Sequence, residues 1–243
     1  MDNDDLPVGR VLSRREVMAI TGSASLAALL GLPQAAVAQQ KPKPRNLNHV
    51  IVSPETTEGP FFVEEHLNRS DIRSDPQSGV ISPGTLLHLT INLVTVGAVA
   101  KPLAGATVDI WHCDAAGRYS DEEQNGTAGQ KFLRGSQVSD KDGKVEFTTI
   151  YPGWYAGRAV HMHFKIRHPR GGQTREFTSQ LFFDETTPHE VHAKAPYADR
   201  GPRDIMNNRD GIYRQGGNKL MLALEKTKQS YAGVFDVGLT EDI

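Results

Sequence analysis

A single cysteine, Cys113, stands among the 243 residues, so the chain can close no disulfide within itself and build no multi-cysteine zinc site. One thiol of this kind reads as a small buried apolar residue. Charge of one sign is missing too. The net charge is −2 and no basic stripe carries interleaved aromatics, which removes the electrostatic case for nucleic acid. No G-x-G-x-x-G follows a strand pattern, so no nicotinamide or flavin is signalled. Long apolar runs are absent as well. The stretch from Met18 to Leu32 is too short and too rich in Gly, Ser and Ala for a stable membrane span. With no internal repeat, and no break in composition after His49, one sizeable domain with its own core is expected.

What is present begins with an address. SRREVMAITGSASLAALLGLPQAAVAQ sets paired arginines, Arg14 and Arg15, before a mild apolar region and an A-x-A site, Ala36-Val37-Ala38. That pattern resembles a twin-arginine export signal over residues 1–38, with periplasmic delivery of an already folded protein. A polar, proline-containing tether follows at 39–48, and the domain is expected over 49–243.

Strand signals are numerous and helix signals scarce. Thr85–Val96 alternates, with Leu87, Leu89, Ile91 and Leu93 on one face. ATVDIWHCD alternates again; SDKDGK is a hairpin-type turn before VEFTTIY. AVHMHFKIRH, the turn PRGG, TSQLFFD and GVFDVGL complete the set. Short strands between Gly, Asp and Pro turns predict an all-β fold, an antiparallel β-sandwich with long wrapping loops. The irregular stretch from Thr186 to Gly217 is the expected wrap, with one helical turn around Asp204–Asn208. NKLMLALEKTK leaves helix and strand both open.

The chemistry concentrates in PGWYAGRAVHMHF, Pro152 to Phe164. Alternation puts His161 and His163 on one face of a strand, about 6.6 Å apart at the backbone, while Met162 and Phe164 face the core. A bare H-x-H is weak and more often two surface histidines. A usual zinc site wants a further His or carboxylate. A cupin site wants Glu four or five residues on, where Arg167 and His168 stand. Phenols are close instead: Tyr155 after a Pro-Gly turn, Tyr119 after DAAGR, and Tyr151 as a competitor. Phenolate is a hard anionic donor suited to Fe(III) rather than Cu(I) or Zn(II). Tyrosines in such turns are also commonly hydrogen-bonded caps. Arg158 could hold an anion beside a metal, and Gln180 on the next strand could face the same pocket; each also reads as a solvated polar residue.

In this order the residues resemble the intradiol ring-cleavage dioxygenases, the family of protocatechuate 3,4-dioxygenase and catechol 1,2-dioxygenase. The likeness runs through TEGPFF, RSDIRSD, LAGATVDIWHCDAAGRYSD, the block from FLRGSQV to HMHF, and SQLFFD. It looks most like the exported, single-chain branch. The resemblance implies a β-sandwich with a prealbumin-like core and non-haem Fe(III) held by Tyr119, Tyr155, His161 and His163. It makes Arg158 and Gln180 the residues that stabilise charge on the substrate, and Tyr155 the ligand that yields to it and takes a proton. The partners implied are a small aromatic diol, such as catechol, protocatechuate or hydroxyquinol, and O2; the product is a muconate-type diacid. Specificity would lie in Glu64–Arg73 and Pro188–Asn208. Phe62 stands where the family often has Tyr, which is expected to alter the mouth of the pocket. Only the tether precedes His49, so the helical dimerisation region of catechol 1,2-dioxygenases is not expected, and no oligomer is assigned.

Two rival readings stand beside it. Small prealbumin-like modules of secreted proteins share the same strand-and-turn rhythm without a metal. A different H-x-H metalloenzyme, zinc or Fe(II), is the other. A bare module has no use for Arg158, His161, His163 and Tyr119 together, and the second rival lacks its third His or Glu at motif spacing.

Overall fold

A computed structural model of the chain describes Leu47 and residues 49–241. The expected export signal, 1–38, and all of the tether except Leu47 lie outside them. Among the described residues, nine strands form two sheets. In one, β1 (Leu86–Val96) carries β5 (Lys144–Ile150) and the short β2 (Lys101–Pro102) on one edge, both antiparallel. Its other edge pairs with β9 (Ser230–Thr240), and β9 with β8 (Ala223–Lys226). The second sheet runs β4 (Arg134–Val138), β3 (Thr107–Trp111), β6 (His161–Arg170), β7 (Gln173–Phe182), antiparallel throughout.

The β-sandwich expected from strand count and turn spacing is what forms. One ladder differs from the rest: β1 and β9 are parallel, from Leu86↔Ser230 to Val96↔Thr240. A parallel pair needs a long crossover. Here the chain between them passes through the second sheet and returns by the wrap between β7 and β8, which holds a single α-helix among the described residues, α1 (Thr186–His192), followed by short 3-10 turns. The turn expected at Asp204–Asn208 sits at Asn207–Arg209, and NKLMLALEKTK resolves into a 3-10 turn and β8. The strand β4, within FLRGSQV, is not among the expected strands. Its Gly135 lies so close to the segment before β1 that an added Cβ would meet Ile72 at 2.5 Å. Glycine at such a contact erases the alternation that marks a strand.

Period-two patterning decides which side chains face inward. Leu87, Leu89, Ile91 and Leu93 of β1 are buried to 1% exposure or less. Met162, Phe164 and Ile166 of β6 join the same core. Burying one such side chain stabilises the fold by roughly 1.5–3 kcal/mol. The other face of β6 would ordinarily be wet. Here His161, His163 and Lys165 are buried as well, because TEGPFF and two tyrosine-bearing turns lie across them.

Candidate metal centre

At the start of β6, His161 and His163 point away from the core, as alternation requires, and their Nε2 atoms stand 3.1 Å apart. His161 Nδ1–H donates to the carbonyl of Ala159 at 2.7 Å, which leaves the Nε2 lone pair facing the site. Burial pushes the His161 pKa down to about 3, with the Arg158 cation adding to the effect. His163 is driven well below the ordinary range by burial and by His161. Both rings are therefore neutral donors at neutral pH. The His163 ring is held by its faces: it stacks on Trp111 at 4.9 Å, and Gly59 lies where a Cβ would come within 3.2 Å of Cε1. Gly59 also has φ +75°, a second reason for glycine there.

Two turns bring in the phenols. Asp114 accepts hydrogen bonds from the N–H groups of Ala116 and Arg118 and from the Arg118 side chain, closing the turn that ends in Tyr119. The Pro-Gly turn before Tyr155 packs backbone to backbone against it. A Cβ on Gly117 would lie 2.0 Å from the Trp154 carbonyl, and one on Gly153 would lie 2.4 Å from that of Asp114. The result sets the Tyr155 hydroxyl 3.2 Å and the Tyr119 hydroxyl 3.5 Å from His161 Nε2. Phe61 stacks on Tyr119 at 4.3 Å and meets Tyr155 edge-on. Phe62, expected at the pocket mouth, lies on Trp111 and under the Lys165 ammonium instead. Tyr151 is elsewhere, in the main core among Phe183, His192 and Tyr231. Of the two tyrosines, Tyr155 is the one whose hydroxyl lies beside His161.

Arg158 reaches three ways. Nε donates to Asp210 at 2.8 Å, Nη2 to Gln180 Oε1 at 2.6 Å, and Nη1 stands 3.4 Å from His161 Nε2. Gln180 is fully buried on β7, directly opposite His163, and donates to the carbonyl of Thr57. All six residues singled out from sequence thus converge. Sequence reasoning missed Asp210, Phe61, Trp111 and Gly59. For Asp210 the only local signal was the turn-forming pair Asp210-Gly211. Of the two segments expected to line the pocket, Glu64–Arg73 packs along β4: Asn68 bridges to Ser136, and Arg69 donates to the carbonyl of Arg134.

The donor set fits a hard cation. Imidazole nitrogens bind a first-row metal at about 2.0–2.1 Å, so adjacent donors on one ion stand about 3 Å apart. That matches the 3.1, 3.2 and 3.5 Å separations around His161 Nε2. Among the described residues no three of His, Cys, Asp or Glu could hold a metal together, and the side-chain oxygens that stand nearest the two histidines are the phenols of Tyr155 and Tyr119. Burial raises the pKa of both phenols, Tyr119 most, while Arg158 pulls Tyr155 the other way. A cation would take these oxygens by displacing their protons, as bound metals do.

Several known proteins resemble this chain. A family model described as dioxygenase matches residues 57–198. Catechol 1,2-dioxygenase 1 of Acinetobacter lwoffii is 28% identical over 152 residues, 53% of this chain and 45% of that protein. The chain spans about half the length of the curated relatives it matches. Among solved structures, the intradiol ring-cleavage dioxygenase from Tetranychus urticae superposes with a TM-score of 0.68 at 33% identity, covering 79% of this chain and 95% of that one. The dioxygenase domain of a carbohydrate-binding fusion from Streptomyces sp. SirexAA-E shares the fold, with a TM-score of 0.58 at 24% identity. By the family model and by a solved relative matched over nearly its whole length, the chain belongs to the intradiol ring-cleavage dioxygenase family.

Proposed function

We propose that this protein opens a catechol-type ring between its two hydroxylated carbons with O2, giving a muconate-type diacid, at a non-haem Fe(III) held by Tyr119, Tyr155, His161 and His163. The observation that carries the reading is the convergence of three donor atoms within 3.5 Å of His161 Nε2. When bound, Fe(III) supplies Lewis acidity and an electron-accepting centre that activates the diol toward O2.

The protein's own groups do the rest. Tyr155 is half-buried, whereas Tyr119, His161 and His163 are sealed, so Tyr155 is the donor an entering diol meets first. Its phenolate oxygen accepts one hydroxyl proton of the substrate, general-base work at an atom already in place. Arg158 Nη1 faces the same space and stabilises negative charge that builds on the ring, and Gln180 holds the guanidinium plane through Nη2. Phe61 and Trp111 keep water from the donors. The test is product identification: the iron-loaded protein is incubated with catechol, protocatechuate and hydroxyquinol under isotopically labelled O2. A diacid carrying both labelled atoms is expected from at least one. A semialdehyde product, or an iron-loaded protein that consumes none of the three, overturns the reading.

A further inference from the structure

One buried residue has contacts that this chemistry leaves unused. Asp210, in the wrap between α1 and β8, is fully buried and its carboxylate takes four hydrogen bonds. Oδ1 accepts from the N–H groups of Ile212 (2.8 Å) and Tyr213 (3.0 Å), which turn the chain around it. Oδ2 accepts from Arg158 Nε and from the N–H of Ala159, both at 2.8 Å. Each contact constrains the site. The donors of a guanidinium lie in one plane in a fixed fork, so fixing two edges fixes the third. With Nε on Asp210 and Nη2 on Gln180, Nη1 can only face the histidine side of the site. Holding the N–H of Ala159 also steadies the residue whose carbonyl takes His161 Nδ1.

We propose that Asp210 is a positioning residue of this site: it aims Arg158 Nη1 at the charge developing on the substrate ring, acting through the guanidinium without touching the substrate. The proposal rests on the catechol-cleaving reading above. Asp210→Asn keeps the size of the side chain but replaces one oxygen by an N–H2 group. Wherever that group turns, it faces two N–H donors and breaks one pair of contacts.

The experiment is a double-mutant cycle on the full chain loaded with iron: wild type, Asp210→Asn, Arg158→Lys and the double variant. Catechol turnover and the urea unfolding midpoint are read for each. Asp210→Asn is expected to lower kcat per bound iron by roughly 100-fold, the scale of a small misplacement, with KM, iron content and resting colour nearly unchanged. In the Arg158→Lys background it should change kcat by less than about threefold, since the residue acts through Arg158. A purely structural residue would lower the midpoint with kcat per iron intact, or act equally in both backgrounds; either result overturns the proposal. If Asp210→Asn does not fold, Asp210→Ser, which keeps one acceptor, takes its place in the cycle. If the wild type cleaves protocatechuate or hydroxyquinol but not catechol, that substrate is used in the cycle; if it cleaves none of the three, the functional reading has failed, and the unfolding midpoints decide alone. Non-additive shifts then support the clamp between Asp210 and Arg158, and additive shifts refute it.

Discussion

At the scale of single residues, the site is a matter of which hydroxyl reaches which nitrogen. Tyr155 and Tyr151 lie four positions apart, both beside the same Pro-Gly turn, and only Tyr155 comes within 3.2 Å of His161 Nε2. The Tyr151 hydroxyl is buried in the core without a hydrogen-bond partner among the described residues. Tyr155→Phe should therefore lower catechol turnover by at least about 100-fold, the usual worth of a positioned proton acceptor. Tyr151→Phe should leave turnover unchanged and be neutral or stabilising, because it deletes an unpaired buried group. Steady-state kinetics and urea unfolding of the two variants check both statements. Sequence drew attention to Tyr155, Arg158, His161 and His163 because their types are unusual together in one short stretch, with Tyr119, on an earlier turn, and Gln180, on the next strand, given their roles only by the family resemblance. It did not show Asp210, which lies 52 positions from Arg158 and meets it only through the wrap.

Elements explain why the histidines stay dry. In β6, alternation divides His161, His163 and Lys165 from Met162, Phe164 and Ile166, and the sequence alone makes this division legible. The burial of the histidine face is not legible there, since its cover comes from TEGPFF, about 100 positions earlier, and from two loops. Phe164 is fully buried in the main core. Phe164→Ala should cost about 3–5 kcal/mol of stability, measured by urea unfolding, while the folded fraction keeps its iron stoichiometry, since this side chain points away from the donors. The strand β4 escapes a sequence reading for a related reason. Its Arg134 is buried, satisfied by Ser120 and by the Phe61 carbonyl, and its Gly135 makes room for Ile72, so neither residue follows strand statistics.

For the whole molecule, the clearest consequence is a pH dependence of stability. His112 is buried, with Nδ1–H donating to the Cys113 carbonyl and Nε2 accepting from the Thr149 hydroxyl. Burial lowers its pKa from 6.5 to about 4, and His161 lies lower, at about 3. The unfolded chain takes up these protons as pH falls through 6.5, and the folded chain does not. Stability is therefore complete above pH 6.5 and falls from there toward pH 4, by about 1.4 kcal/mol per pH unit for each such histidine. Asp109 works the other way below pH 6, because burial raises its carboxyl to about 6, so the difference between variants is the cleaner reading: His112→Gln should reduce the slope of unfolding stability with pH by about one proton. At this scale the sandwich was legible from strand count and turn spacing alone. The parallel β1–β9 ladder was not, because strand direction is set by a crossover whose sequence is irregular.

On the proposed reading, two phenolates and two imidazoles bind iron here and leave room for a catechol. The most direct test is the visible absorption spectrum of the purified, iron-loaded protein, before and after anaerobic addition of catechol. A red-brown protein is expected, its phenolate-to-iron charge-transfer band moving to longer wavelength when catechol binds. A protein that stays colourless after iron is supplied would contradict that reading.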